Sequence, residues 1–192
     1  MIDSVEALKV ISQHRGNAIV VGAHTAGREW GAISTRKELD LTWSVSMGKA
    51  SSVGLGLALG RPDAKIFVFD GDGSLVMNLG TLLTVSDISP PNLVHFVFEN
   101  GIYRTTGGQP IPNAGRFSFT ELARVAGYAH THDFEELEIL KEEIENVVNQ
   151  AGPTFVCIKV PPITEKSPPY PPLGETDEII ARLRKGLGNA TF

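Results

Sequence analysis

Cysteine is almost missing. Cys157 is the only one in 192 residues, which excludes an internal disulfide framework and a cysteine-rich metal site. Basic charge is short as well: 17 Lys and Arg stand against 22 Asp and Glu, a net charge of −5. No broad basic surface is therefore available for nucleic acid or an anionic membrane. No apolar run approaches the roughly 20 residues that cross a bilayer. The stretch Met1 to Val10 carries Asp3 and Glu6 among its apolar residues, unlike a secretory signal. These absences point to a soluble chain, expected in the cytoplasm. Hydrophobic residues make up 42% and charged residues 20%, which excludes disorder. A chain of this length buries roughly 70% of its unfolded surface around one core.

What is abundant is glycine, 20 residues, several of them at the ends of apolar segments. Short apolar runs alternate with helix-like stretches, the pattern of a parallel sheet covered on both faces. Strands are expected at 18–21, 41–43, 65–69, 93–98, 128–131 and 154–160. Helices are expected at 5–13, 49–59, 75–86, 119–126 and 134–149, the last with Leu137, Leu140, Ile144, Val147 and Val148 on one stripe. Gly54 and Gly56 would let the 49–59 helix approach the sheet closely. Thr25, Gly27, Arg28 and Glu29 are expected in a loop, and 104–115 in the longest loop. Prolines crowd the segment from Pro161 to Pro172, which favours an extended arm, followed by a short helix over 177–185. The expected architecture is a doubly wound, mainly parallel α/β sheet with helices on both faces. Residues 1–160 form the domain, and 161–192 form a proline-rich C-terminal arm with a short terminal helix.

In open α/β sheets, ligands sit at the carboxyl ends of strands. The run KIFVF leads directly into Asp70-Gly71-Asp72-Gly73-Ser74, and LVHFVF leads into Glu99-Asn100-Gly101. Mg²⁺ takes near-octahedral oxygen coordination and usually combines few protein ligands with phosphate oxygens. Asp72 offers a charged oxygen, Asn100 a neutral one and a nearby backbone carbonyl a third. Gly71 and Gly73 remove side chains where an anion must approach the backbone. A helix starting at Ser74 would aim free N–H groups at the same place. Asp-Gly and Asn-Gly are common turns when they occur alone; their joint occurrence after two strong strands is what points to a diphosphate–magnesium site. Among the histidines, only His24 stands at a strand end near this site. His95 and Cys157 lie in strands and read as core residues, and the GLGLALG run at 54–60 lacks the strand context of a dinucleotide fingerprint.

With these residues in view, the sequence resembles the thiamine-diphosphate-dependent decarboxylase family, whose diphosphate-binding domain would span roughly 16–160. GDGS at 71–74 and ENG at 99–101 are similar to the family's Gly-Asp-Gly … Asn-Asn-Gly cofactor motif, and SMGKASSVGLGLAL at 46–59 to its Gly-Ser-Met-Gly-rich helix start. The resemblance implies thiamine diphosphate and Mg²⁺ as cofactors. It assigns Asp72, Asn100 and the Ile102 carbonyl to the metal, and Gly71, Gly73 and Ser74 to the diphosphate. Met47 would support the bent cofactor from below, and the Val45 carbonyl would meet its aminopyrimidine. Two departures stand out: Glu99 replaces the first Asn, and Ala26-Gly27 occupies the place of a hydroxyl residue. Thr25 or His24 would then contact the diphosphate instead.

Within the family, NGIYRTTGGQP at 100–110 and GREW at 27–30 look most like phosphonopyruvate and sulfopyruvate decarboxylases. A sulfonate or phosphonate tail needs clustered donors, for which Arg104, Thr105, Thr106 and Gln109 are the candidates. The implied reaction is decarboxylation of a small 2-oxo acid, the cofactor accepting the electrons. Family members also need a pyrimidine-binding domain with an activating glutamate, for which this chain has no room. Glu29 and Glu99 belong to the other half. The resemblance therefore implies a β subunit whose separate α subunit completes the site in a hetero-oligomer. Acetolactate-synthase-like ligation, a non-catalytic cofactor-binding module, or a fragment of a longer protein in place of a separate subunit are the other readings.

Overall fold

The structure is a computed structural model that describes residues 1–163 and 176–188. Its elements in chain order are α1 (Ser4–Gln13), β1 (Ile19–Ala23), α2 (His24–Ile33), β2 (Asp40–Val45), α3 (Ala50–Gly60), β3 (Ile66–Gly71), α4 (Asp72–Val76) and α5 (Thr81–Ile88). There follow β4 (Leu93–Glu99), β5 (Ile102–Tyr103), β6 (Gln109–Pro110), α6 (Phe119–Ala126), β7 (His130–Phe134), α7 (Leu137–Asn149), β8 (Thr154–Lys159) and α8 (Thr176–Gly186). Six strands form one sheet in the order β2-β1-β3-β4-β8-β7, and every pairing in it is parallel. Strands β5 and β6 make a small antiparallel pair.

The sheet is buried on both faces, which is why its central strands are continuous apolar runs. Side chains alternate by the strand period of two. Phe67, Phe69, Val94, Phe96, Val156 and Ile158 join α1, α2 and α7 in one core. Ile66, Val68, Leu93, Phe155 and Cys157 join α3, α5 and α6 in the other. This is the doubly wound arrangement that the sequence led us to expect. From β1 the chain crosses to the edge strand β2, then returns to β3 on the other side of β1. The switch point lies between β1 and β3, and a ligand crevice belongs at their carboxyl ends.

Close contacts and one buried ion pair fix the first half of the sheet. A Cβ at Gly22 would stand 2.6 Å from the Gly27 Cα, so glycine at both positions is what lets α2 lie against the end of β1. A Cβ at Gly54 would overlap the Val68 side chain, whereas Gly56 faces open space; only the first glycine brings α3 close to the sheet. Arg15 is buried between α1 and β2. Its Nη2 donates to Asp40 Oδ1 at 2.7 Å, its Nη1 to Ser34 Oγ at 2.8 Å and its Nε to the Ala18 carbonyl at 3.1 Å. Trp30 Nε1 donates to the same Asp40 oxygen at 3.0 Å, and the guanidinium lies 5.3 Å from the Trp30 ring centre.

Several local expectations need correction. Residues 24–33 are the helix α2 and not a loop; the buried Ala26, Gly27 and Trp30 face the core, and that packing overrides two helix-weakening glycines. The expected helix over 75–86 is divided into α4 and α5 by a turn at 77–80. The strand expected at 128–131 is β7 at 130–134, paired in register with β8, so α7 starts at Leu137 and not at Phe134. Most of the proline-rich arm, 164–175, lies outside the described residues. Among the described residues, no helix is long and apolar enough to cross a membrane.

Cys157 is fully buried in β8. Its Sγ donates to Glu99 Oε2 at 3.0 Å, and burial together with that carboxylate pushes the thiol far above its ordinary range. The thiolate is the reactive form. The folded chain should therefore leave a chromogenic disulfide reagent unreacted near neutral pH and react one equivalent after denaturation. Fast reaction of the native chain would contradict this burial.

Candidate functional site

A cleft opens at the switch point. The carboxyl end of β1 contributes Ala23 and the start of α2 contributes His24 and Thr25. The ends of β3 and β4 contribute Gly71, Asp72, Phe98 and Asn100. The segment after β4 adds Ile102, Tyr103, Arg104 and Thr105.

Asp72 is the first residue of α4 and only 1% exposed. Its Oδ1 accepts the Gly73 N–H at 2.7 Å. Its Oδ2 accepts the N–H groups of Asn100 at 3.0 Å and Gly101 at 2.6 Å. One carboxylate thus joins the loop after β3 to the loop after β4. Asn100 Oδ1 accepts the Ile102 N–H at 2.9 Å, which folds the second loop into a tight turn. Burial raises the Asp72 carboxyl to about 6, against the pull of the three N–H groups. A buried carboxylate held this way gains from an added cation.

The residues fit a magnesium ion better than a protein-only metal centre. Asp72 Oδ1 has a second lone pair left by its single hydrogen bond. Asn100 and Ile102 line the same cleft and offer an amide oxygen and a main-chain carbonyl as neutral donors. Among the described residues there is no cluster of three His, Cys, Asp or Glu side chains able to hold a metal. A cation here would need ligand oxygens and water to complete its shell, the habit of Mg²⁺.

The turn at 46–48 is clamped onto the end of β3. Ser74 Oγ accepts the Gly48 N–H at 2.9 Å, and Asn78 Nδ2 donates to the Gly48 carbonyl at 2.9 Å. Gly48 has φ +74, a conformation that glycine adopts without strain. This clamp holds Met47 in the cleft wall. It also revises the role expected of Ser74: its oxygen accepts from Gly48, leaving its O–H for a ligand. A helix of five residues has little aligned dipole, so the expected helix-terminus contribution is small. Gly71 has open space where a Cβ would stand, whereas a Cβ at Gly73 would come within 2.7 Å of the Tyr103 ring. Gly73 therefore makes room for Tyr103, and only Gly71 leaves room for a ligand.

His24 has φ +41, a left-handed backbone that a histidine rarely adopts and that tends to mark functional positions. Its imidazole is half-buried, and burial together with Arg28 lowers its pKa, so it is neutral at pH 7. Other expected residues do not converge. Val45 is buried at the end of β2 and lines no part of the cleft. Of the four expected substrate residues, Arg104 and Thr105 line the cleft. Thr106 and Gln109 are exposed and bond each other, Thr106 Oγ1 to Gln109 Oε1 and Gln109 Nε2 to the Thr106 carbonyl, both at 3.0 Å. Glu29, which the sequence reading had set aside, lines the cleft and pairs with Arg104 Nη1 at 3.3 Å. The only advance signal for it was the GREW string.

The geometry agrees with the comparisons. A family model described as "Thiamine pyrophosphate enzyme, C-terminal TPP binding domain" matches residues 21–158. Sulfopyruvate decarboxylase subunit beta from Methanocaldococcus jannaschii is 39% identical over 121 residues, covering 63% of each chain. The same-named subunit from Methanothermobacter thermautotrophicus is 34% identical, over 76% of this chain and 74% of that one. Phosphonopyruvate decarboxylase from Streptomyces viridochromogenes is 38% identical over 61% of this chain but only 29% of its own length. The match thus spans less than two thirds of the first and third of these relatives. A solved thiamine diphosphate-dependent 4-hydroxybenzoylformate decarboxylase from Rhodococcus jostii RHA1 shares the fold, with a TM-score of 0.68 at 15% identity, over 85% of this chain and 33% of that one. The match over most of the sheet, in a chain whose strand ends β3 and β4 are tied by one aspartate, identifies the chain as a member of the thiamine pyrophosphate enzymes, through their C-terminal TPP binding domain.

Proposed function

We propose that this chain is the β-type subunit of a split thiamine-diphosphate-dependent decarboxylase acting on a small 2-oxo acid with a sulfonate or phosphonate tail. The observation that carries this reading is the Asp72 carboxylate bridging the two strand-end loops. Asp72, Asn100 and the Ile102 carbonyl would hold Mg²⁺. His24, Thr25, Gly71, Gly73 and Ser74 surround the place for the diphosphate. Met47 would support the rings. When bound, the cofactor supplies the electron sink for loss of carbon dioxide. The chain's own part is to fix the charged groups and exclude water, and Arg104 with Thr105 would orient the acidic tail.

The activating glutamate and the pyrimidine-binding domain would come from a separate α-type subunit in a cytoplasmic hetero-oligomer. Similarity to proteins named as beta subunits, of which the match covers 74% and 86%, supports the split arrangement. Acetolactate synthases match at 27% identity or less, over 25% and 31% of their own length. The test is to assay sulfopyruvate and phosphonopyruvate decarboxylation by the chain alone and with the protein encoded beside it. The lone chain should be inactive and the mixture active. Appreciable turnover by the lone chain would contradict the split site.

A further inference from the structure

The Glu29–Arg104 pair is an unusual ion pair for a cleft wall. Glu29, on α2, is 6% exposed, and the side chain of Arg104, just after β5, is 14% exposed. They share one contact of 3.3 Å between Nη1 and Oε1, not the bidentate fork that guanidinium and carboxylate prefer. Glu29 Oε2 and Arg104 Nε are both buried without a hydrogen-bond partner. Each orphan atom is desolvated without compensation, so the pair is held in an arrangement that satisfies neither member.

The charged groups around Glu29 are few. Arg104 faces it from the segment after β5, and Ser4 and Asp3 face it from the start of α1. The other titratable groups lining the cleft are His24, Asp72 and Tyr103. Burial pushes the Glu29 carboxyl up, Asp3 adds to this, and the Ser4 hydroxyl and Arg104 pull back. Among the groups that shift Glu29, Arg104 is the cation that favours its ionised form.

We propose that Glu29 is an exchangeable partner of Arg104: an acidic group entering the cleft takes the guanidinium from Glu29, and Glu29 takes up a proton from solvent in return. This rests on the reading that the cleft receives a 2-oxo acid with an anionic tail. Glu29 is then a positioning residue. It holds Arg104 in place while the cleft is empty and becomes neutral when the anion arrives, so the anion does not face an ionised Glu29. The sign follows from linkage: binding raises the Glu29 pKa, so the anion binds more tightly as pH falls.

The test uses the full chain loaded with thiamine diphosphate and MgCl₂. The probe is 3-sulfopropanoate, a substrate-shaped dianion with no keto carbon, which cannot react. Calorimetry in two buffers of different ionisation enthalpy counts the protons taken up. Net uptake of about half a proton or more near pH 7 is expected, with affinity rising about 3- to 10-fold per unit as pH falls toward 6. Glu29→Gln should abolish both the uptake and the pH dependence while binding the probe as well or better. Arg104→Met should lose at least about 10-fold in affinity, and Arg104→Lys should recover part of it. No uptake in the wild type, unchanged uptake in Glu29→Gln, or no probe binding would overturn the proposal. Should Glu29→Gln fail to fold, the carboxyl ¹³C resonance of Glu29 in the wild type decides, because its titration must move upward on adding the probe. The cofactor titration precedes the probe. Absent cofactor binding would count against the proposed function, and the probe titration on the unloaded chain would still judge the Glu29 exchange separately.

Discussion

Asp72→Ala should abolish magnesium-dependent binding of thiamine diphosphate. The side chain joins the two strand-end loops by accepting the N–H groups of Gly73, Asn100 and Gly101. Its loss therefore removes a metal ligand and releases the loop that carries Asn100 and Ile102. Loss of a group that only supports a ligand costs about 10- to 100-fold in metal affinity, so loss of the ligand itself should exceed that range. Asp72→Asn separates charge from shape. It keeps one carbonyl acceptor, which can still take the Asn100 and Gly101 N–H groups and hold the loops together, gives up the bond from Gly73, and removes the charge, so cofactor affinity should still drop. Titration of both variants with thiamine diphosphate, with and without MgCl₂, provides the check. Unchanged affinity in Asp72→Ala would show that the cofactor binds elsewhere.

Arg15→Ala should be the most destabilising single change away from the cleft, by about 3–5 kcal/mol, the cost of stranding one member of a buried ion pair. Four interactions converge on the guanidinium, from Asp40, Ser34, the Ala18 carbonyl and the face of Trp30. Without it, Asp40 Oδ1 keeps only the Trp30 N–H, and Asp40 Oδ2 is already buried without a partner. The residues joined are the α1–β1 turn, the middle of α2 and the start of the edge strand β2, so β2 should loosen first. Denaturant unfolding measures the loss. The double variant Arg15→Met with Asp40→Leu should recover a large part of it, because no charge is then left buried. A loss in the double variant equal to that of Arg15→Ala would mean that packing, and not the stranded charge, carries the effect.

The parts of the site that could be read in advance are those with a local signature. KIFVF followed by GDGS announces a strand, a turn and a helix start within ten residues, and LVHFVF followed by ENG repeats the strand and turn. The strand order places them side by side at a switch point, which the alternation of elements already implied. What escaped prediction depends on contacts between distant residues. HTAGREW reads as a loop because Gly27, like Gly31 just beyond it, weakens a helix; the structure uses Gly27 to press α2 onto Gly22, and tertiary packing outweighs propensity. The apolar periodicity of 75–86 conceals the turn at 77–80, where Asn78 reaches across to Gly48, a contact 30 positions distant in sequence. Glu29 and Arg104 are 75 positions apart, and no pattern in the chain marks them as a pair. Thr106 and Gln109 look like free donors in sequence but satisfy each other within one turn.

The most direct measurement is a crystal structure of the full chain grown with thiamine diphosphate and MgCl₂. The account predicts a six-coordinate ion at about 2.1 Å from an Asp72 oxygen, the Asn100 amide oxygen and the Ile102 carbonyl, with diphosphate oxygens completing the shell. A diphosphate seated away from Gly71 and Asp72, or a cation that leaves Asp72 untouched, would contradict it.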